Sequence, residues 1–111
     1  MPLLKIQTPT EIPSDMLAAL SMILAETIGK PESYVMVSAT TANLMMSGSS
    51  GDAAFVEVKS IGGLSHEVNA ALSENICRLL NGTLGISMDR VYLNFTEVPA
   101  SQWGWNSSLF G

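Results

Sequence analysis

The sequence contains one pattern twice: an apolar strand, an amphipathic helix followed by a glycine, and a second strand. The predicted segments span residues 2–7, 14–28 and 34–39 in the first half, and 54–60, 66 to either 81 or 85, and 91–95 in the second. When Gly85 is superposed on Gly29, three more identities appear: Thr27 with Thr83, Val35 with Val91 and Thr40 with Thr96. They fall at the helix exit and in the following strand, which favours a duplicated β-α-β unit.

Polar residues and glycines predict where these segments begin and end. Ser14 is the predicted N-cap of the first helix, Gly29 ends that helix, and Ser65 is the predicted N-cap of the second. A loop follows the second strand and leaves room for a short edge strand near residues 44–46. The segment from Ser47 to Asp52 is rich in serine and glycine and is predicted to be a turn.

Two β-α-β units with right-handed crossovers place both helices on the same face of one sheet. The predicted fold is therefore α/β (α+β), a four-stranded mixed sheet with two helices on one face, in a single domain of residues 1–111. A mostly parallel sheet is normally buried on both sides. Because the chain has no third helix, we expect another copy of the chain to cover the second face.

Composition excludes several functional classes. Hydrophobic residues make up 47% of the chain and charged residues 14%, which supplies enough apolar material for a packed core. The formal net charge of −5 disfavours nucleic acid and anionic membranes as partners. No apolar run is long enough to span a membrane, the N-terminus lacks the features of a signal peptide, and Cys77 is the only cysteine. The default prediction is a cytoplasmic protein, and leaderless secretion is not readable from the sequence.

The chain begins Met1-Pro2, and a small second residue such as proline generally permits removal of the initiator methionine. Removal would leave a secondary amine at Pro2. In an apolar pocket the ammonium form of such an amine loses hydration, so its pKa falls toward or below neutrality and the amine becomes a general base at physiological pH. Many chains begin Met-Pro without this chemistry, so the dipeptide alone does not predict catalysis.

Five short motifs carry a more specific signal. They are Met1-Pro2, Gly29-Lys30-Pro31-x-x-Tyr34, Ser60-Ile61-Gly62, Asp89-Arg90-Val91-Tyr92-x-Asn94 and Gly104-Trp105-Asn106-x-Ser108-x-Phe110. Together they resemble the macrophage migration inhibitory factor family, which belongs with D-dopachrome tautomerase to the tautomerase superfamily. The resemblance runs almost from end to end, with a shorter loop after the first strand.

The resemblance implies a homotrimer in which three four-stranded sheets surround a central barrel and the helices lie outside. It also implies a keto–enol tautomerase of phenylpyruvate-like α-keto acids, with D-dopachrome as a further candidate substrate. No cofactor is predicted, because the sequence has no phosphate-binding loop, nucleophilic triad or dinucleotide motif. No metal site is predicted either, because His66 and Cys77 are the only histidine and cysteine and lie eleven positions apart.

Roles for individual residues follow from the same resemblance. Pro2 would be the catalytic amine at a subunit interface, and the backbone N–H of Ile61 would face the substrate. Lys30 would bind the acid or carbonyl oxygen of the substrate and lower the pKa of Pro2 through its charge. Tyr92 and Asn94 would be contributed by the neighbouring subunit. The implied aromatic wall positions are Tyr34, Trp105 and Phe110.

Simpler explanations exist for some of these residues. Lys30 follows a helix C-terminus, where the helix dipole favours any cation. Tyr92 and Asn94 share one face of a predicted strand, and polar residues there would also serve ordinary interface hydrogen bonding. The resemblance implies no role for Trp103, but this residue is bulky and close in sequence to the predicted pocket wall. We therefore expect it to alter substrate preference.

A cytokine-like signalling protein that acts by receptor binding is the alternative hypothesis, and a structural trimer without catalysis is the third. Two departures from the family count against the signalling hypothesis. The segment Ala53–Val56 lacks the Cys-x-x-Cys pair of family members studied as cytokines, so a thiol–disulfide activity has no residues to perform it. The loop Thr8–Glu11 also lacks a basic residue. Receptor binding is therefore uncertain.

Overall fold

A computed structural model describes all residues from Met1 to Gly111. Four strands form the main sheet, two helices pack on it, and two short hairpins follow the second and fourth of its strands in chain order. The elements are β1 (Pro2–Thr8), α1 (Ser14–Ile28), β2 (Met36–Thr41), β3 (Met45–Met46), β4 (Ser49–Ser50), β5 (Ala54–Ser60), α2 (His66–Leu84), β6 (Val91–Glu97), β7 (Gly104–Trp105) and β8 (Ser108–Leu109).

The main sheet has the strand order β2-β1-β5-β6. β1 is parallel to β2 and β5 is parallel to β6, whereas the central pair β1 and β5 is antiparallel. Each parallel pair is connected through a helix, so the sheet consists of two β-α-β units joined side by side. The predicted four-stranded mixed sheet is therefore confirmed.

Both helices cover the same face of this sheet, as predicted. Alternate residues of β1 and β5 are buried and join the inner faces of α1 and α2 in one apolar core. The fully buried members include Leu4, Ile6, Val56, Val58, Leu20, Leu24, Leu72 and Ile76. Burying leucine-sized side chains contributes roughly 1.5–3 kcal/mol each before the entropy cost of ordering them is subtracted. The core thus fixes which face of β1 and β5 points away from the helices.

The two units are alike in their backbone details. Gly29 and Gly85 end the two helices in the left-handed conformation, with φ of 80° and 71°. A 3-10 turn precedes the second strand of each unit, at Glu32–Tyr34 and at Met88–Arg90. In each pair the two features lie 56 residues apart, which is also the spacing of the four identities found in the sequence. This agreement supports the predicted duplication.

The helix boundaries agree with the sequence except at one cap. The Ser65 hydroxyl accepts a hydrogen bond from the Val68 N–H at 3.1 Å, so the predicted cap of α2 is confirmed. α2 continues to Leu84, and of the two predicted ends the one at Gly85 is found. The predicted cap of α1 is wrong, because Ser14 is already the first helical residue and Pro13 precedes it without a capping side chain.

Two strand predictions need correction. Tyr34 was predicted to begin β2, but it lies in the 3-10 turn, and β2 begins at Met36. The segment after Met46 was predicted to be only a turn, whereas Ser49–Ser50 pairs with Met45–Met46 as a small hairpin. Positive φ angles of 54° at Ser47 and 75° at Gly48 allow the tight connection.

Arg90 connects this hairpin to the start of β6. Its Nε donates to the backbone oxygen of Asp52 at 2.8 Å, and its Nη2 donates to the backbone oxygen of Ser49 at 3.1 Å. Its Nη1 donates to the backbone oxygen of Met46 and to the Ser49 hydroxyl, at 3.3 and 3.1 Å. A planar guanidinium satisfies several carbonyls in one arrangement, so Arg90 fixes the hairpin beside the strand that carries Tyr92.

The face of the sheet that points away from the helices is mostly polar. Strand register and burial assign to it Leu3, Lys5 and Gln7 of β1, Met36, Ser38 and Thr40 of β2, Phe55, Glu57 and Lys59 of β5, and Tyr92, Asn94 and Thr96 of β6. Met36 and Tyr92 are 65% and 66% exposed. We call these twelve residues the open face. Neither helix has both the length and the apolar character that crossing a membrane requires.

Candidate functional site

A pocket of about 400 Å³ opens at the end of the main sheet where β1 begins. Its wall consists of residues from the chain start, the 3-10 turn before β2, the first residue of β2, and the segment around β7. The lining residues are Met1, Pro2, Leu3, Ser33, Tyr34, Val35, Met36, Trp103, Gly104 and Trp105. We call this the Pro2 pocket. Its apolar and aromatic lining is typical of a small-molecule site.

Pro2 is fully buried within this wall. It is the first residue of β1 and pairs with Ser60 at the end of β5, so the central antiparallel pair fixes its position. Proline is tolerated there because the first residue of a strand can lack the N–H that a ladder otherwise needs. The fold therefore holds the proline ring at the margin of the core, where little water reaches it.

Lys30 lies beside the loop that follows β5. It directly follows Gly29, and its Nζ donates a hydrogen bond to the backbone oxygen of Ile61 at 3.0 Å. Gly63 makes this close approach possible, because a Cβ there would lie 2.7 Å from Ile28 Cγ2 and 3.5 Å from Lys30 Cε. Lys30 and Ile61, both predicted site residues, are thus brought together, although neither lines the Pro2 pocket itself.

The surroundings of the N-terminus favour the neutral form of an amine at that position. Burial lowers the pKa of the Met1 amine below its ordinary value, and the positive charge of Lys30 lowers it further. Met1 lines the pocket together with Pro2. While Met1 is attached, the nitrogen of Pro2 belongs to a peptide bond and cannot accept a proton.

Two of the three predicted aromatic wall residues line the pocket, and the third supports it. Tyr34 and Trp105 belong to the lining. Phe110 lies behind Trp105, with ring centroids 5.9 Å apart and ring planes at 15°, a stacked arrangement. Its backbone N–H also donates to the backbone oxygen of Trp103 at 3.1 Å. The tail is therefore tied back onto the segment that forms the wall.

Sequence reasoning left Trp103 out of the predicted site, yet it lines the same pocket as Pro2. A signal was available, because Trp103 is separated from the predicted wall residue Trp105 only by a glycine. Met36 was also missed, and the structure places it at the start of β2 directly opposite Leu3. It is exposed despite being apolar, and strand propensity alone gives no indication of that.

Tyr92 and Asn94 are not brought to the Pro2 pocket of their own chain. They lie on β6, at the edge of the sheet beyond β5, and Tyr92 aligns with Phe55, which in turn aligns with Gln7 at the far end of β1. Tyr92 instead lines a smaller pocket of about 240 Å³ at that end of the sheet. Its other lining residues are Leu44, Met45, Met46, Ser47, Ala53, Ala54 and Phe55.

The remaining titratable and metal-binding residue types form no second site. No group of three or more histidine, cysteine, aspartate or glutamate side chains comes together as a metal ion would need. Cys77 is half-buried in α2, and burial raises the pKa of its thiol. A thiol that is held protonated is a poor nucleophile and metal ligand, so Cys77 acts as a small apolar side chain.

Comparisons with known proteins agree with this architecture over its full length. A family model described as macrophage migration inhibitory factor (MIF) matches residues 1–111. The macrophage migration inhibitory factor of Rattus norvegicus is 38% identical over 100 residues, which are 89% of this chain and 87% of the relative.

Solved structures show the same likeness. The crystal structure of a macrophage migration inhibitory factor homologue from Prochlorococcus marinus superposes with a TM-score of 0.92 at 42% identity, covering 98% of this chain and 99% of the other. A macrophage migration inhibitory factor-like protein from Entamoeba histolytica superposes with a TM-score of 0.93 at 34% identity, covering 98% of each chain.

Proposed function

The chain belongs to the macrophage migration inhibitory factor family of the tautomerase superfamily, and we propose that it is a keto–enol tautomerase of phenylpyruvate-like α-keto acids. The observation that carries this proposal is the location of Pro2, buried at the start of β1 in an aromatic pocket where an amine pKa is lowered. A tautomerase that works near neutral pH needs such a base. D-dopachrome is a further candidate substrate.

Removal of Met1 would make Pro2 the terminal residue and convert its nitrogen into a secondary amine. This amine would be in the surroundings that lower the pKa of the Met1 amine, namely low hydration and the nearby Lys30 charge. Above its lowered pKa the amine is neutral and accepts a proton. Processing would also remove a side chain from the pocket, because Met1 is part of its wall.

The proposed reaction needs only proton movement. Neutral Pro2 takes a proton from the carbon beside the carbonyl of the keto acid. The electron pair of that C–H bond becomes the carbon–carbon double bond of the enol, and the π pair of the carbonyl moves onto its oxygen. The prolinium then gives the proton to that oxygen, so the enol forms and the amine is regenerated. Proton transfer by a positioned group supplies about 10²–10⁴-fold of the acceleration. The pocket walls supply further acceleration by orienting the substrate.

Lys30 is proposed to bind the substrate's carboxylate or carbonyl oxygen. In the absence of substrate its Nζ donates to the Ile61 backbone oxygen. That bond uses one of the three hydrogens of the ammonium and leaves two for an anion. The backbone N–H of Ile61 is proposed to serve the same anion, and the rings of Tyr34 and Trp105 to contact the aryl group.

Tyr92 and Asn94 are proposed to complete the site from a neighbouring subunit in a homotrimer. Within one chain both lie on the edge strand β6, two strands away from Pro2 on β1, so an assembly is required to bring them together. The open face and the exposed apolar Met36, Met45 and Tyr92 support such an assembly. The proposed trimer would cover this face with the sheets of the other subunits.

The trimer is tested by sedimentation equilibrium near micromolar concentration. We expect a mass three times that of the 11.8 kDa chain. Burial of the exposed apolar side chains of Met36, Met45 and Tyr92 would drive the association. A sample that remains monomeric at this concentration would contradict the proposed assembly.

The activity is tested with phenylpyruvate and protein from which Met1 has been removed, as verified by intact mass. Conversion between the enol and keto forms is followed by ultraviolet absorbance. We expect saturable acceleration that increases with pH, because deprotonation creates the neutral Pro2 base. A processed protein that accelerates neither direction above the buffer rate would exclude this function.

The second candidate is a cytokine-like signalling role, which is consistent with the name shared by the relatives. The segment that bears on this role is the loop Thr8–Glu11, in which the Thr10 hydroxyl donates to Asp52 Oδ1 at 3.1 Å. Its one charged residue is the acidic Glu11, so a receptor that requires a basic loop would not bind here. The tautomerase proposal therefore has the stronger support.

A further inference from the structure

Trp103 lies in the wall of the Pro2 pocket. It lies between the 3-10 turn Ala100–Gln102 and β7 and is half-buried. Its backbone N–H donates to the Ala100 oxygen at 3.3 Å, and its backbone oxygen accepts from the Phe110 N–H at 3.1 Å. Both backbone groups of Trp103 are therefore hydrogen-bonded within the tail, which fixes the backbone from which the indole projects.

The two tryptophans of the wall differ in what their rings contact. Trp105 is 57% exposed, and one of its ring faces is taken by Phe110. The Trp105–Phe110 stack is the single aromatic pair in the chain. The ring faces of Trp103 are therefore not stacked on any other ring of the chain. The residue lines the Pro2 pocket.

We propose that Trp103 is the specificity-determining residue for the aryl group of the substrate. The inference rests on the proposed tautomerase function and concerns the aryl group of α-keto acid substrates, for which a single ring would be preferred over a larger aryl group. An indole in this position supplies a flat apolar surface for ring stacking. It also occupies part of the wall of the Pro2 pocket, so it sets how much room remains for the aryl group. Truncation of the indole would therefore leave more room for a larger aryl group, such as a naphthyl group.

Substitution of Trp103 separates these effects. We expect Trp103→Ala to lower kcat/KM for phenylpyruvate by about two- to tenfold, mainly through KM, which corresponds to the stacking of one aromatic pair. For 2-naphthylpyruvate the loss should be smaller or reversed, so the naphthyl-to-phenyl ratio of kcat/KM rises. Trp103→Phe keeps a flat ring and should restore most of the phenylpyruvate activity.

Leu109→Ala is the matched control, because it truncates an exposed apolar residue on β8 of the same hairpin that does not line the Pro2 pocket. It should leave the substrate ratio at the wild-type value. An unchanged ratio in Trp103→Ala, with phenylpyruvate still turned over by the wild type, would overturn the role of Trp103 and leave the tautomerase proposal intact.

A binding measurement tests Trp103 independently of turnover. The chain has two tryptophans, so Trp105→Phe leaves Trp103 as the sole indole reporter. We expect 3-phenylpropanoate, an aryl acid that cannot enolise, to shift the emission of Trp103 with the Kd that calorimetry gives. Binding without any change in this emission, or no binding at millimolar concentration, would overturn the proposal. If the wild type has no tautomerase activity, this titration still decides whether Trp103 contacts an aryl acid.

Discussion

An alanine inserted between Met1 and Pro2 is expected to abolish tautomerase activity toward phenylpyruvate, with a loss of at least about 100-fold. The inserted residue converts the Pro2 nitrogen from an amine into an amide, which has no basic lone pair. The aromatic wall and Lys30 remain, so binding of an aryl acid should survive in part. The measurement is kcat/KM for phenylpyruvate, with the N-terminus of each protein established by intact mass.

Two comparisons show whether the loss of activity comes from the missing amine or from disruption of the pocket. Pro2→Gly retains a terminal amine but loses the ring, and its activity should fall strongly yet remain above that of the insertion variant. Sedimentation and thermal unfolding should show that both variants keep the wild-type assembly and fold. Wild-type kcat/KM in a folded insertion variant would end the general-base proposal.

Replacement of Lys30 by alanine is expected to lower kcat/KM for phenylpyruvate by about ten- to a hundredfold, and to affect its methyl ester much less. The physical reason is that a hydrogen bond from a charged donor to a carboxylate is worth roughly 1.5–3 kcal/mol, whereas the ester carries no charge. Lys30 follows a helix end and lies outside the buried core, so the assembly should persist. The same pair of substrates is measured in wild type and variant.

Lys30→Ala should also shift the pH dependence of the tautomerase activity. Burial and the Lys30 charge lower the pKa of the amine at the N-terminus. Loss of that charge removes one of the two causes, so the pKa of the Pro2 amine should increase and the rise of activity with pH should move to higher pH. Arg78→Ala is the control, since it removes one exposed cation paired with Glu74 on α2. Equal losses on acid and ester, with an unmoved profile, would mean that Lys30 is only a helix-end cation.

Much of the fold was predictable because it depends on periodic burial and on a few backbone signals. The apolar run at residues 2–7, the alternating residues 91–95 and the helix-ending Gly29 and Gly85 led to the correct units. The misplaced cap at Ser14 shows the limit of this reasoning. Serine is favoured at helix caps in general, but Pro13 has the extended backbone of that position here, and Ser14 begins the helix.

The candidate site was predictable in part, and the missing part has a physical cause. Pro2, Tyr34 and Trp105 meet because strand pairing and the tail hairpin bring them to one end of the sheet. That Trp103 lines the pocket depends on how the last segment folds back onto β1, and neither propensity nor periodicity encodes such a path. In the proposed trimer Asn94 would reach the substrate of another subunit, and no single-chain pattern can determine such a contact.

The doubling of the β-α-β unit has a consequence for chemistry that depends on a chain terminus. In the second unit Ala54 is the first strand residue, as Pro2 is in the first, and Ile86 is the equivalent of Lys30. The smaller pocket that holds Tyr92 is thus the structural counterpart of the Pro2 pocket. When two such units share one polypeptide, only one leading strand can begin at the α-amine of the chain. The proposed amine chemistry is therefore confined to one of the two pockets.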